Sequence, residues 1–251
     1  MPRTQRVHSK SNIYHVMIRG NNKKDIFIDD WDRAFFMKLL KEYAERSEFR
    51  LYAYCLMSNH IHLLIDTGGK PIGQVIKPIA SRYASWFNQK YEKIGHLFQD
   101  RFKSEPVENR RYFLTVLRYI IQNPLKAGLE NSLGHYRWNC YTAYTDNDDS
   151  VIDTQYAVKV AGNRQFLLDF IQVRNDDVVM EITDADERKL SDSVARSVMT
   201  EITHCLTPST FLRKTKTLQK EYIKILLDKG LSIRQISELT GWSKSAVFRA
   251  K

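Results

Sequence analysis

The fold is set by the stretch Leu56-Met57-Ser58-Asn59-His60-Ile61-His62-Leu63-Leu64-Ile65, in which two histidines stand one residue apart in an apolar run of strand-like composition. Because successive side chains of a strand point to opposite faces, His60 and His62 share one face and Ile61 points to the other. Two imidazoles side by side on a strand can supply half of a divalent-metal site. Taken alone, such a pair is more often solvent-facing on a half-buried strand, so a metal site needs support from the rest of the chain.

The segments around this stretch predict alternating strands and helices. The expected elements are a strand at 13–20, a helix from Asp29 or Asp30 to about 47, strands at 49–57 and 60–66 that form a hairpin, a helix at 72–91, an extended segment at 97–107 and a helix at 109–122. Asn123-Pro124 is expected to end the last helix, because proline offers no N–H and restricts the residue before it. This order predicts an α+β domain in which helices pack on an antiparallel sheet.

The chain beyond residue 145 predicts an all-α region. Asp146-Asn147-Asp148-Asp149-Ser150 is a polar break, and helices are expected at 153–173 and 184–203. We therefore divide the chain into a first domain at 1–145, an acidic helical linker at 146–210 and a third domain at 211–251.

The third domain has the sequence pattern of a helix-turn-helix. A helix at 218–229 is expected to end at Gly230, and Ser232 caps a short helix after it. Gly241 then supplies a turn, and Ser243 caps a second helix. The second helix of such a motif enters the major groove of duplex DNA, and its exposed positions here are Ser243, Lys244, Ser245 and Arg249. A helical hairpin that binds no DNA is the alternative.

Charge is distributed unevenly along the chain, whose net charge is +10. Residues 1–130 hold 22 Lys and Arg against 13 Asp and Glu, residues 144–205 hold 6 against 13, and residues 206–251 hold 10 against 3. Two basic blocks separated by an acidic one indicate two surfaces that contact polyanions, and nucleic acid is the expected class.

Composition bounds the class of protein. With 43% hydrophobic and 12% aromatic residues among 251, the chain can bury a substantial core. It contains no run of about 18 apolar residues that would predict a membrane span, and no apolar stretch follows the basic N-terminus as in a signal peptide. Cys55, Cys140 and Cys205 are far apart and odd in number, which fits a reducing cytoplasm.

The last predicted helix of the first domain supplies two residues that a nuclease site needs. Tyr119 and Asn123 are four apart, so they lie on one helical face. If this helix packs across the histidine strand, Asn123 can complete the metal site and Tyr119 can point its phenol at a bound phosphodiester. A tyrosine with a pKa of about 10 is a poor nucleophile unless a metal stabilises charge on the phosphate. The resulting phosphotyrosyl intermediate would preserve the phosphodiester energy, so the strand could be rejoined.

Four blocks in order along the chain resemble one family: Tyr14–Asn22, Cys55–Leu64, His96–Ser104 and Arg118–Leu129. Over about residues 10–145 the chain resembles the single-tyrosine, His-hydrophobe-His (HUH) transposases, and specifically the REP-associated tyrosine transposases of bacteria. The resemblance implies a ferredoxin-like HUH nuclease domain that cleaves and rejoins single-stranded DNA next to hairpins, with Mg²⁺ or Mn²⁺ as cofactor. After residue 145 the chain resembles longer members with a C-terminal helix-turn-helix.

The resemblance also implies roles for single residues. His60 and His62 match the family's metal histidines, which makes them part of the catalytic set, and Tyr119 matches its nucleophile. Asn123 occupies the position of the third metal ligand, where some relatives carry glutamine. Ser58 stands where many members have proline, a change that affects the hairpin turn and not the ligands.

Basic and aromatic residues alternate where the chain is expected to meet DNA. In single-strand binding proteins, cations follow the phosphates and aromatic rings stack on the bases. The aromatic candidates are Tyr83, Trp86, Phe98 and Phe102, of which about half are expected in the core instead. The predicted DNA contacts are Arg3, Arg6, Arg19, Arg82, Arg101, Lys103, Arg118, Lys244 and Arg249.

The sequence therefore predicts a metal-dependent endonuclease and strand transferase that acts on single-stranded DNA carrying a REP-like hairpin. Duplex DNA is the expected partner of the helix-turn-helix. The alternatives are a transcriptional regulator derived from a transposase, and a nickase of the relaxase or replication-initiator type. The protein is expected in the bacterial cytoplasm, associated with the nucleoid and not with a membrane, as a monomer or homodimer.

Overall fold

The structure is a computed structural model that describes residues 7–47, 49–146, 151–174, 179, 192–205, 207–229, 231 and 233–250. Its chain divides into two units, Met1–Met180 and Glu181–Lys251, and each is described by itself. Several features predicted from the sequence lie outside the described residues: Arg3 and Arg6, residues 147–150 of the polar break, residues 184–191 of the predicted 184–203 helix, Gly230 and Ser232.

The first unit contains a four-stranded antiparallel sheet, as predicted. Its strands are β1 (Ile13–Arg19), β2 (Arg50–Leu56), β3 (His60–Asp66) and β4 (Lys103–Pro106), in the spatial order β2-β3-β1-β4. β2 and β3 form the expected hairpin, in which the Met57 amide donates to the His60 carbonyl at 2.9 Å.

Two helices, α1 (Asp30–Ser47) and α2 (Ile72–Lys90), connect the strands. The chain order β1-α1-β2-β3-α2-β4, combined with the strand order of the sheet, is the ferredoxin-like arrangement. α1 begins where the sequence predicts, and Asp29 Oδ1 accepts from the Asp32 amide at 2.9 Å. The two helices pack together through Phe36 and Tyr83, whose ring centroids are 5.2 Å apart.

The pairing of β1 with β3 decides which side chains share a face of the sheet. Met17 lies opposite His62 and Arg19 lies opposite His60. Directly paired residues of antiparallel strands point to the same side, so these four side chains lie on one face. The other face carries Ile18 and its partner Ile61, both buried.

Helix α3 (Arg110–Lys126) begins at the predicted cap, where Asn109 Oδ1 accepts from the Tyr112 amide at 2.8 Å. The prediction that Asn123-Pro124 ends this helix is wrong, because the helix continues through Pro124 to Lys126. Proline removes only its own N–H bond, while the amides of Ala127 and Leu129 still bond the carbonyls of Asn123 and Pro124. Pro124 is also buried, so packing favours the extra turn. Asn123 therefore lies within the helix.

The first unit extends beyond residue 145. Three further helices follow, α4 (Tyr141–Asp146), α5 (Thr154–Ala161) and α6 (Arg164–Gln172). Ala157 of α5 and Leu167 of α6 belong to the same core as the sheet. Gln122 Nε2 of α3 donates to the Ile171 carbonyl of α6 at 2.6 Å. The first part of the predicted linker thus packs on α3, and the functional division at residue 145 stays a prediction.

The second unit is helical and has a core of its own. Its described helices are α7 (Asp192–Thr203), α8 (Pro208–Leu212), α9 (Lys216–Asp228), α10 (Ile233–Thr240) and α11 (Lys244–Arg249). The core includes Phe211, Ile223, Ile236 and Val247. Gly241, with φ of 75°, turns the chain between α10 and α11, and the Ser243 hydroxyl caps α11 by accepting from the Ala246 amide.

A helix that crosses a membrane needs about 20 predominantly apolar residues. Within the part of the chain that the structure describes, no helix is both long enough and apolar enough to cross a bilayer.

Candidate nuclease site

The two histidines of the opening stretch lie side by side on β3. Their ring centroids are 5.0 Å apart and the ring planes are perpendicular. His62 is only 1% exposed, and His60, at the end of the strand, is partly exposed. The alternative of two solvent-facing histidines therefore does not describe this pair.

Hydrogen bonds orient both imidazoles in the same way. Nδ1 of His60 lies 2.6 Å from Oδ1 of Asn59, and Nδ1 of His62 lies 3.0 Å from Nε2 of His15 on β1. These bonds occupy the Nδ1 atom of each ring. Nε2 is consequently the nitrogen that each ring can offer to a bound ion.

Burial keeps these imidazoles neutral. It lowers the pKa of His60 to about 4 and that of His15 to about 3, and it lowers the pKa of His62 well below the usual 6.5. Arg19 contributes to the shift at His60, because its positive charge disfavours a second one. A neutral imidazole has the free lone pair that metal ligation requires.

Helix α3 brings the other two predicted residues to the histidines. The Tyr119 ring centroid lies 5.5 Å from that of His62 and 5.9 Å from that of His15, and Tyr119 is 3% exposed. Asn123, one turn further along α3, is 8% exposed, and its side chain is close enough to the His60 imidazole to raise the pKa of that ring, against the larger effect of burial. The structure thus gathers all four residues that the sequence proposes for the catalytic and metal sites.

The donor set fits a divalent cation. Two neutral imidazoles and the amide oxygen of Asn123 are ligand types that Mn²⁺ and related ions accept. Among the described residues, no group of three or more His, Cys, Asp and Glu could hold a metal ion. Asn123 is therefore a candidate for the third protein ligand of a metal site built on His60 and His62.

One residue of this site escapes sequence reasoning. His15 is fully buried between His62 and Tyr119, yet it lies in a different block of the sequence from either. Only the register of β1 against β3 brings it to His62, and a single sequence carries no signal for that register.

The predicted DNA contacts are placed unequally. Arg19 and Lys103 lie on the same face of the sheet as the histidines. Arg19 pairs with His60, and Lys103 pairs with Met17, which is itself opposite His62. Arg101 is exposed, and Arg82 is exposed but forms an ion pair with Glu42 at 2.9 Å. In the second unit Lys244 and Arg249 are both exposed on α11.

Arg118 has a different environment. Its side chain is 5% exposed, and its guanidinium lies 4.0 Å from the ring centroid of Phe170 on α6. Its Nη1 also donates to the Phe170 carbonyl at 3.4 Å. Arg118 packs α3 against α6, and a contact with DNA at this position would require α6 to move.

A groove of about 480 Å³ lies between α2 and the segment before β4. It is bordered by Ile18, so it opens on the face of the sheet opposite the histidines. Its lining combines cations with aromatic rings: Lys77, Arg101, Phe98 and Phe102. Lys77 and Arg101 are both exposed, and Asp100 is an acidic residue of the lining.

Fold and site together define a ferredoxin-like domain with a His-x-His strand beside a helix that carries tyrosine and asparagine. Residues 8–123 match the model of the family described as IS200-like transposases. These residues contain the whole sheet and the four gathered side chains, so the match covers the candidate site. Comparison with curated protein sequences finds no significant match.

One solved structure has a similar fold. The chain resembles a REP-associated tyrosine transposase bound to a REP hairpin, with a TM-score of 0.51 and 13% identity, over 72% of this chain and 96% of that one. At this identity the likeness shows the fold alone. A second structure, from Deinococcus radiodurans R1 and named only provisionally as a transposase, covers 51% of this chain and 96% of its own at 15% identity. Its TM-score of 0.34 is too low to bear on the fold.

The buried histidines predict a pH-dependent stability. The unfolded chain takes up these protons near pH 6.5, whereas the folded chain holds His60 neutral down to about pH 4 and His15 down to about pH 3. Acidification below about pH 6.5 should therefore lower the free energy of unfolding by about 1.4 kcal/mol per pH unit for each such histidine. Urea unfolding of the whole chain between about pH 5 and pH 7 measures this slope.

The variant His15→Gln should lower the pH dependence of the unfolding free energy by the contribution of one histidine, about 1.4 kcal/mol per pH unit. His135→Gln is the matched control, because His135 is exposed and its loss should leave the slope unchanged. A slope that is identical in wild type and His15→Gln would show that His15 is not held neutral by burial.

Proposed function

We propose that this transposase-family protein is a metal-dependent endonuclease and strand transferase for single-stranded DNA, with Tyr119 as its nucleophile. The observation that carries the proposal is the packing of α3 on the histidine face. It sets the centroid of the Tyr119 ring 5.5 Å from that of His62 and brings the Asn123 side chain next to His60. A protein that only bound DNA would have no need to gather these four side chains.

The residues of the site would promote transfer of the DNA strand by holding the phosphodiester and the attacking oxygen in place. A divalent ion, Mg²⁺ or Mn²⁺, held by His60, His62 and Asn123 would stabilise charge on the non-bridging oxygens of the phosphodiester. Tyr119 Oη would attack the phosphorus while the P–O bond to the departing deoxyribose breaks, and the phenolic proton would pass to the deoxyribose oxygen that leaves as a hydroxyl. One phosphodiester is exchanged for another, so attack by a DNA hydroxyl on the phosphotyrosine reverses the step and rejoins a strand.

Burial of the site favours this chemistry. The Tyr119 ring packs against His15 and His62. Nζ of Lys126, further along the same helix, lies 5.0 Å from the centroid of the Tyr119 ring. A fixed ring places Oη in one position and loses little freedom when the phosphate binds. The cation beside the ring adds positive potential where the phosphodiester and the departing oxygen carry negative charge.

We also propose that the DNA substrate carries a hairpin next to a single-stranded flank. A structure of similar fold is a REP-associated transposase bound to a REP hairpin, and this chain has exposed cations on the segment before β4. The 480 Å³ groove offers Lys77 and Arg101 to phosphates and Phe98 and Phe102 to bases. These residues support a path in which the single-stranded flank of the DNA passes from the histidine face around the β4 edge of the sheet to this groove.

For the second unit we propose a helix-turn-helix that binds duplex DNA. α10 and α11 are joined by a turn at Gly241, and the Trp242 indole donates to Gln219 Oε1 of α9 at 2.7 Å, which fixes the turn on the unit's core. α11 presents Lys244 and Arg249 to solvent together with Phe248, which is 65% exposed. This surface supports the rival reading of a DNA-binding regulator only if the first unit proves inactive.

The nucleophile is tested by trapping the covalent intermediate. Wild-type protein incubated with Mn²⁺ and a single-stranded hairpin oligonucleotide should form an adduct that survives denaturing electrophoresis. Tyr119→Phe should form none, because the attacking oxygen is gone. His60→Ala should reduce the adduct by at least about 100-fold, the scale expected when a direct participant in catalysis is removed.

Tyr112→Phe is the matched control, since Tyr112 lies on the same helix and its hydroxyl donates to Glu105 Oε2. It should form the adduct as wild type does. An adduct that persists in Tyr119→Phe would exclude Tyr119 as the nucleophile. If wild type forms no adduct with a panel of hairpins but binds duplex DNA, the regulator is the better account.

The groove predicts a specific salt dependence. Removing Lys77 and Arg101 by alanine substitution should weaken binding of a hairpin oligonucleotide with a single-stranded flank. The slope of log affinity against log salt should fall by about 0.7 for each cation lost, as for phosphate contacts on single strands. Fluorescence anisotropy at several salt concentrations measures both quantities. Lys159→Ala, an exposed lysine of α5, is the control, and equal slopes in all three proteins would place the flank elsewhere.

The proposed helix-turn-helix predicts binding of duplex DNA by α11. A pool of random-sequence duplexes should yield bound sequences with wild-type protein, and Lys244→Ala with Arg249→Ala should weaken their binding about 10-fold or more. Lys220→Ala, on the exposed side of α9, should bind as wild type does. Failure of the wild-type chain to retain any duplex would contradict this assignment.

A further inference from the structure

His15 is a buried titratable group beside the site for which the proposed mechanism has no role. It is fully buried on β1, its Nε2 lies 3.0 Å from Nδ1 of His62, and the two rings are stacked with centroids 5.2 Å apart. Its other nitrogen, Nδ1, has no hydrogen-bond partner among the residues that the structure describes.

This placement costs stability, and packing alone would not favour it. A buried polar atom without a partner is destabilising, and an apolar side chain of similar size would fill the same space without that cost. The position is well defined, because His15 pairs with Leu64 while its neighbour Met17 pairs with His62. His15 thus lies diagonally across from His62 on the same face of two directly paired strands.

The direction of the hydrogen bond follows from what His62 must do. An ion bound at Nε2 of His62 needs the lone pair of that atom, so the ring proton must be on Nδ1. That Nδ1–H can donate only if Nε2 of His15 is unprotonated. The reverse arrangement, with His15 as donor, would put the proton of His62 on Nε2 and block the ion.

We propose that His15 is a positioning residue that accepts a hydrogen bond from His62 and holds it in the tautomer and orientation in which Nε2 faces the metal. The inference rests on the proposed metal-dependent function and adds a fifth residue to the site. His60 obtains the same orientation from Asn59, whose Oδ1 can only accept from the ring nitrogen 2.6 Å away. Both metal-binding imidazoles are therefore oriented through Nδ1, one by an amide oxygen and one by a third histidine.

Side-chain shape allows a sharp choice of variants at position 15. The amide of glutamine reaches about where Nε2 of a histidine lies, so His15→Gln keeps an acceptor for His62. The shorter His15→Asn is polar but does not reach, and His15→Leu fills the space without an acceptor. His135→Leu removes an exposed histidine from the same unit and serves as the control.

The experiment measures the affinity of the full-length protein for Mn²⁺ alone, by titration with electron paramagnetic resonance detection of free Mn²⁺. Loss of a hydrogen-bond partner of a metal-bound histidine typically weakens metal affinity about 10- to 100-fold. We expect that loss in His15→Leu and His15→Asn, and near wild-type affinity in His15→Gln and His135→Leu. Circular dichroism of each variant establishes that it is folded.

Nitrogen-15 spectra of the histidine rings in the Mg²⁺-loaded wild type provide a second readout that needs no variant at the site. His62 should carry its proton on Nδ1 and His15 should also carry its proton on Nδ1. Protonation of His15 on Nε2 would overturn the proposal, even if His15→Leu failed to fold.

The outcomes separate this inference from the function on which it rests. If wild type binds Mn²⁺ and all position-15 variants bind it equally well, His15 only packs, and the proposed function is untouched. If His15→Gln loses affinity as fully as His15→Leu, the accepting nitrogen is not what matters. If wild type itself binds no Mn²⁺, the metal-dependent function fails first.

Discussion

The antiparallel pairing of β1 with β3 is the interaction on which the rest of the site depends. It places His60 and His62 on one face, brings His15 to His62, and sets Arg19 opposite His60. A shift of the register by a single residue would turn the histidines to the opposite face, toward the side that carries Ile18 and Ile61. Once the register is fixed, α3 needs only to lie across the histidine face to bring Tyr119 and Asn123 into place.

The buried polar groups on the histidine face of the sheet lower the stability of the fold. Three imidazoles are held neutral in surroundings that would otherwise favour apolar side chains, and one ring nitrogen of His15 is buried without a partner among the described residues. The opposite face is mainly apolar, with Ile18, Ile61 and Leu63 buried there. The cost of a buried polar site, typically a few kcal/mol, is thus offset by an apolar core on the other side of the same strands.

Local patterns predict much of this architecture, because caps and strand alternation are properties of short segments. Asn109 caps α3 as expected, and the β2–β3 hairpin forms at Ser58 and Asn59. What the sequence does not show is tertiary packing. Burial carries α3 through Pro124, contrary to the prediction, and Arg118, a predicted DNA contact, lies against Phe170 of α6. The partnership of His15 with His62 joins residues 47 positions apart, and only the strand register creates it.

We propose that β3 and α3 together form one metal site beside a tyrosine. An anomalous-difference map from crystals grown with Mn²⁺ tests this proposal most directly. We expect a single strong peak within bonding distance of Nε2 of His60, Nε2 of His62 and the side-chain oxygen of Asn123, with Tyr119 beside it. A strong peak elsewhere, or a bound ion that leaves either histidine uncoordinated, would contradict it.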